Sequence, residues 1–317
     1  MINARNLVRR FSLKHETVEA VRGVDIDVAP GEVVAFLGPN GAGKSTTLRM
    51  LTTLLPPSDG TAIVAGHDVR REPQEVRKRI GHIGQGNGSM DGLQVREELY
   101  TQGRFYGLDR RTSWARTSEL LEQLDLAEQA SRDVARLSGG QRRRLDVAMG
   151  LIHRPGLVFL DEPTTGLDPQ SRANLLDHIR WLREEQDITV VLTTHYLDEA
   201  DAVAERVIVI DHGQIIADGT PDQLKSKVSG DLVTVTLAEP ESVDAAAEVV
   251  SRIPTAHEIE SRGDVVRFRT ERGDAVMPEL VRALDGPGLT LRGTNVQRPT
   301  LDDVFLTLTG RSLRDDE

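Results

Sequence analysis

Two strand-like apolar runs, VDIDVAP (Val24–Pro30) and EVVAFLG (Glu32–Gly38), open the hydrophobic pattern of the chain. The second is almost wholly apolar, as a parallel strand buried on both faces must be. It leads into GPNGAGKSTT and then Ser45–Leu55, whose spacing predicts a helix stopped by Pro56, Pro57 and a Ser58-Asp59-Gly60 turn. From about Gln85 to Pro155 the spacing is helical, as in RTSELLEQLDLAEQA, and no buried-strand run interrupts it. This predicts a helical insertion over about 86–155. Alternation then resumes with a strand at Gly156–Pro163, a helix over Ser171–Glu185 and a strand at Ile188–His195. A helix at Leu197–Glu205 and a strand at Arg206–Gly213 follow. Strands alternating with helices imply an α/β domain with a mainly parallel sheet covered on both faces.

Beyond Pro221 the pattern resets. LVTVTL (Leu232–Leu237) precedes a helix near Val243–Arg252, two strand-like runs near Thr255–Glu260 and Val265–Thr270, and a helix near Ala275–Leu284. A strand near Leu289–Val296 and a helix from Thr300 complete the order βαββαβ plus a terminal helix. That order predicts a small α+β domain of the ferredoxin-like, split-βαβ kind. The expected division is therefore 1–222, an accessory domain over 230–310 and a tail at 311–317.

Composition narrows the classes. The 317 residues include no cysteine, which excludes disulfides and thiolate metal sites and suits a reducing compartment. Apolar runs such as VIVI (Val207–Ile210) are strand-sized, far below the roughly 18 to 20 residues of a membrane span. MINARNLVRRFSL has no apolar core of a signal peptide, so the chain is expected to stay on the side of the membrane where it is made. The net charge is −11, with 17 acidic and 10 basic residues from Asp231 onward and 33 and 29 before it. Neither part has the basic excess of a general nucleic-acid binder, and Arg142–Arg144 reads as a solvated helix face.

Three segments carry chemistry. Gly38, Pro39, Asn40, Gly41, Ala42, Gly43, Lys44 and Ser45 match G-x-x-x-x-G-K-[ST], placed between a strand and a helix as a phosphate-binding loop requires. Backbone amides and the helix dipole supply positive potential there, Lys44 can reach the β- and γ-phosphates, and Ser45 can sit on Mg²⁺. The strand LVFLDEP ends in Asp161 and Glu162, adjacent acids that point oppositely and so can take different tasks. Asp161 suits Mg²⁺ through water, and Glu162 suits activation of the attacking water. His195 ends the strand VVLTTH at the sheet edge where ligands bind, although alone it reads as an ordinary polar strand end. Gln85, in the glycine-rich GQGNGSMDG, can donate to a water or bind Mg²⁺ through its carbonyl oxygen, and alone it too looks ordinary. A second glycine-rich turn, Ser138-Gly139-Gly140 within LSGGQ, opens a helical segment and offers free amides to an anion.

The phosphate loop at 38–45, Gln85, LSGGQ at 137–141, LVFLDEP, TTGLDP at 164–169 and His195 occur in the order of the ABC (ATP-binding cassette) family. Over roughly residues 1–222 the chain resembles its nucleotide-binding domain, a P-loop NTPase with a RecA-like core and a helical subdomain. LSGGQ discriminates, because other P-loop NTPases lack it. The resemblance implies ATP and Mg²⁺, with Thr46 completing the phosphate loop and Ser45, Gln85 and Asp161 serving the metal. It implies catalysis by Glu162, His195 and Gln85. It also implies that Ser138, Gly139, Gly140, Gln141 and Asp168 reach the ATP of a second, head-to-tail subunit. Phe11 takes the approximate place of the family's adenine-stacking aromatic; read alone, it is an ordinary buried phenylalanine. PTLDDVFLTLTGR (Pro299–Arg311) and the segment after VVLTTH resemble the daunorubicin-resistance type of bacterial drug and lipid exporters. In that group the ATPase is a separate polypeptide paired with an ABC-2-type membrane permease. LQVREEL (Leu93–Leu99) departs from the LTVRENL frequent in the family, at positions outside the catalytic set. The resemblance implies an export ATPase at the cytoplasmic membrane face, homodimeric by completeness of its motifs and handling drug-like or lipophilic cargo. The competing class, a soluble ABC ATPase remodelling ribosomes or nucleic acid, usually carries two cassettes and a basic linker.

Overall fold

The computed structural model describes residues 1–12, 16–226 and 230–310. They form two compact units, Met1–Pro221 and the residues from Asp222 onward; the expected tail at 311–317 lies outside the described residues.

The first unit is built around a six-stranded sheet. Its strands are β3 (Val33–Leu37), β6 (Ile80–Ile83), β7 (Leu157–Asp161), β8 (Thr189–Thr194), β9 (Arg206–Asp211) and β10 (Gln214–Gly219). The spatial order is β10-β9-β3-β8-β7-β6, parallel except for the β9–β10 hairpin at one edge. Beside it stands an antiparallel sheet of order β2-β1-β4-β5, made of β1 (Ile2–Ser12), β2 (Thr17–Val28), β4 (Asp59–Val64) and β5 (His67–Asp68). The hydrophobic pattern marks only the end of β2 and misses the rest of this sheet.

One core joins the two sheets. Val34, Phe36, Leu157, Phe159, Val191, Ile208 and Ile210 come from one face of the parallel sheet. Ala4, Leu7, Val24, Ile26, Ala62 and Val64 come from the antiparallel one, with Leu48 and Leu51 of α1 (Lys44–Leu51) between. The alternate residues Ala35, Val158, Leu160, Val190 and Leu192 are also buried, on the face served by α6 (Pro169–Glu184) and α7 (Leu197–Val203). Burial on both faces explains why these strands are apolar at successive positions. Helix α2 (Pro73–Arg77) precedes β6, and residues 86–155 hold α3 (Val95–Phe105), α4 (Arg110–Gln123) and α5 (Gly139–Leu151) with no strand.

After α8 (Pro221–Lys225), the second unit runs β11 (Asp231–Leu237), α9 (Val243–Ser251), β12 (His257–Arg262), β13 (Val265–Thr270), α10 (Gly273–Asp285), β14 (Leu291–Gln297) and α11 (Leu301–Thr309). Its sheet order, β12-β13-β11-β14 and antiparallel throughout, is the ferredoxin-like arrangement read from the sequence. Val233, Val235, Val266 and Phe268 pack with Ala246 and Val250 of α9 and Leu280 and Leu284 of α10 in a core of their own.

Candidate active site

Parallel strands bring their C-terminal ends to one edge, and that edge gathers the chemistry. The phosphate loop leaves β3, Asp161 and Glu162 end β7, His195 follows β8, and Gln85 stands two residues past β6. Gly43 caps α1 with φ 106°, and a Cβ there would stand 2.5 Å from the Ala20 carbonyl oxygen of β2. Only glycine lets the loop lie this close to β2 with a positive φ. Lys44 is 4% exposed, and its Nζ donates to the Gly38 and Pro39 carbonyls at 2.6 and 2.9 Å. Burial pushes its pKa below the ordinary lysine value, against the opposing pull of Glu162 and Asp161.

Asp161 Oδ1 accepts from Ser45 Oγ at 2.8 Å and from Thr193 Oγ1 at 2.7 Å. These are hard oxygen donors from one carboxylate and one hydroxyl, beside a loop that holds phosphate. That donor set fits Mg²⁺, which takes few protein oxygens and keeps several waters. Glu162 has φ 44°, a left-handed backbone that costs a non-glycine residue about 1 kcal/mol or more. Thr193 holds it there, its hydroxyl and carbonyl receiving the Glu162 amide at 2.9 and 3.2 Å. The turn sets Glu162 Oε1 3.6 Å from His195 Nδ1, while Oε2 accepts from Thr165 Oγ1 at 3.3 Å. The polar contact with His195 is the main reason the Glu162 carboxyl titrates below its ordinary range, and it prevails over burial. Thr193 was not singled out in the sequence, although the buried threonine pair Thr193–Thr194 that ends an apolar VVL run is a signal.

The LSGGQ turn opens α5. Ser138 caps α5 in a reciprocal box, with its Oγ accepting from the Gln141 amide and its own amide donating to Gln141 Oε1. Arg142 N already bonds Ser138 O. The box therefore uses the Gln141 side chain and leaves Gly139 and Gly140 as the first-turn amides with no helical acceptor. A Cβ on Gly140 would meet Ser171 Oγ at 2.4 Å, so the turn packs directly on the start of α6. Asp168 caps that helix, accepting from Ser171 N at 2.9 Å and Ser171 Oγ at 2.6 Å. Its carboxylate is thus engaged within its own chain. Among the described residues no hydrogen bond joins 138–141 to 38–46.

Two further placements differ from the residue-level reading. Phe11, opposite Val18 in the β1–β2 hairpin, is partly exposed and carries the Arg9 guanidinium 4.6 Å from its ring centroid. It is no ordinary core phenylalanine. The Arg142–Arg144 run is not a uniformly solvated face: Arg143 is 7% exposed and bonds three backbone carbonyls. The signal was helical spacing, since Arg143 shares its face with Val147, Gly150 and Leu151. Among the described residues no helix is long and apolar enough to cross a membrane.

Comparison with known proteins identifies the family. Residues 21–165 match the ABC transporter family, and residues 219–309 match the C-terminal domain of DrrA1-3-like ATP-binding proteins. The chain is 44% identical to the daunorubicin resistance ATP-binding protein DrrA2 of Streptomyces coeruleorubidus, over 100% of this chain and 97% of that one. It is 42% identical to the daunorubicin/doxorubicin resistance ATP-binding protein of Streptomyces peucetius, over 93% and 89%. The linearmycin resistance ATP-binding protein LnrL of Bacillus subtilis is 34% identical over 99% and 100%. A dimeric ATP-binding cassette solved in a post-hydrolysis state with ADP and Pi superposes with a TM-score of 0.64 at 26% identity, covering 69% of this chain and 98% of that one. The chain belongs to the ABC transporter ATP-binding family, as an ATPase of the group that carries the DrrA1-3-like C-terminal domain.

Proposed function

We propose that two copies of this chain close head to tail over two ATP molecules, and that closure and release drive a separate ABC-2-type membrane permease. One observation carries this reading: the phosphate loop, Asp161, Glu162 and His195 share one sheet edge, while the two free amides of the LSGGQ turn lie outside it. A phosphate held by Gly38–Ser45 gains the Ser138 hydroxyl and the Gly139 and Gly140 amides only from a second chain. Asp168, Gln141 and Ser171 keep that turn in shape from behind.

In each composite site the loop amides and Lys44 bind the β- and γ-phosphates, and Phe11 stacks on the adenine. Mg²⁺ would be held by Ser45 and, through water, by Asp161 and Gln85, and it supplies neutralising charge to the phosphates. Water attacks the γ-phosphorus, Glu162 takes its proton, and the bond to the ADP oxygen breaks. His195 keeps Glu162 ionised and reaches the γ-phosphate. Loss of that phosphate removes the anion that joins the two chains.

The curated relatives are named for resistance to daunorubicin, doxorubicin and linearmycin, which supports export of a drug-like or lipophilic molecule from the cytoplasmic membrane face. They favour this over remodelling of ribosomes or nucleic acid. Replacing Glu162→Gln tests the chemistry: ATP still drives dimerisation in gel filtration, while turnover falls about 100-fold or more. Undiminished hydrolysis would remove Glu162 from its role.

A further inference from the structure

Arg143 sits on α5 two positions past Gln141, and each of its guanidinium nitrogens donates to a different part of the active site. Nε reaches the Pro163 carbonyl at 2.8 Å, Nη1 the Gly84 carbonyl at 2.6 Å and Nη2 the Asp161 carbonyl at 3.2 Å. Pro163 directly follows Glu162, and Gly84 directly precedes Gln85. One buried side chain thus fixes both catalytic segments to the helix that presents the LSGGQ turn.

None of the three acceptors is charged. Asp146 and Asp161 stabilise the cation through space, while burial acts against it and lowers its pKa. A buried cation without a direct carboxylate partner is an expensive way to fill a helix face, and an apolar side chain would pack there at less cost. What a guanidinium adds is a rigid planar fork that sets several acceptors in one geometry. Arg143 stands four residues from the start of α5, about 6 Å along the helix axis. A displacement of the LSGGQ turn therefore reaches Gly84 and Pro163 through one helical turn and one side chain.

In the head-to-tail pair this link has a particular consequence. A chain's LSGGQ turn contacts the ATP held by its partner, whereas its Gln85 and Glu162 serve its own ATP. We infer that Arg143 is a positioning residue that couples the two ATP sites: engagement of the LSGGQ turn at one site sets Gln85 and Glu162 at the other. The inference rests on the head-to-tail pair proposed above. It makes hydrolysis cooperative in ATP, with a Hill coefficient above 1 and at most about 2.

The test uses the full chain with Mg²⁺ and ATP. Arg143→Lys keeps the charge but loses the fork, and Arg143→Gln keeps a planar N–H donor without the charge. Expected for both are ATP affinity of the monomer within about twofold of the original, a maximal rate reduced about tenfold or more, and a Hill coefficient below that of the unaltered chain. A merely structural role lowers the fraction of active molecules, which scales the rate and leaves the Hill coefficient unchanged; that outcome overturns the inference. So does a Hill coefficient of 1 in the unaltered chain. If neither variant folds, pairs of the unaltered chain with a Lys44→Ala chain decide. Their single ATP-loaded site is expected to hydrolyse about tenfold below half the rate of the unaltered pair, and a full half rate would overturn the coupling. Failure of Glu162→Gln to dimerise with ATP would instead remove the head-to-tail reading, whatever Arg143 does.

Discussion

Glu162 combines a left-handed backbone with a carboxyl held ionised by its neighbour. Its pKa lies below the ordinary glutamate range chiefly because of His195, so the base form persists well into mild acid and is lost only as pH falls through that lowered value. Removing the imidazole in His195→Ala lets burial act unopposed by that contact, and the pKa rises. The acid limb of the residual rate is then expected at higher pH than in the unaltered chain, as a pH–rate profile of kcat measures. An unmoved limb would mean that His195 does not set the ionisation of Glu162. The phosphate loop and the Asp161–Glu162 pair were legible residue by residue, because phosphate binding and water activation demand particular side chains at short, fixed spacing, whereas His195 and Gln85 were ordinary alone and stood out only by the order of the motifs. The contacts of Thr193 and Arg143 escaped because their partners are remote in sequence: helical spacing can place Arg143 on the buried face, but it does not record that residue 143 meets residue 84, or that residue 193 meets 161 and 162.

At the scale of elements, the LSGGQ helix and the helix capped by Asp168 form one packed joint. Gly140 and Ser171 touch so closely that Gly140→Ala must displace Ser171 and loosen the Asp168 cap. Urea unfolding is expected to show a loss of about 1–3 kcal/mol, with most of it restored by adding Ser171→Gly. Strictly additive losses would show that the two positions are not in steric conflict. The parallel strands were readable because burial on two faces forces continuous apolar runs. The antiparallel sheet was not. β1 reads INARNLVRRFS, and register shifts after Ala4, Leu7 and Arg9 destroy the two-residue period that would have revealed it. β6 is four residues long and holds a glycine and a histidine, too little for any period to emerge.

For the whole molecule, the ferredoxin-like order of the second unit was legible because β11 and β13 alternate cleanly between buried and outward positions. The unit of function was legible only through the order of the motifs: read by its residues alone, the LSGGQ turn is simply a second anion-binding turn in the same chain. Among the described residues no hydrogen bond joins the two, and Gly139 and Gly140 keep first-turn amides without a helical acceptor, as completion by a second copy requires. Ser138→Arg tests this most directly, because it places bulk and positive charge at the turn without touching residues 38–46. The measurement is ATP binding by the monomer alongside sedimentation of the Glu162→Gln chain with and without Ser138→Arg. The expected result is unchanged monomer affinity with ATP-driven dimerisation abolished. Loss of monomer ATP binding, with the chain still folded, would contradict it and show that the turn serves its own chain.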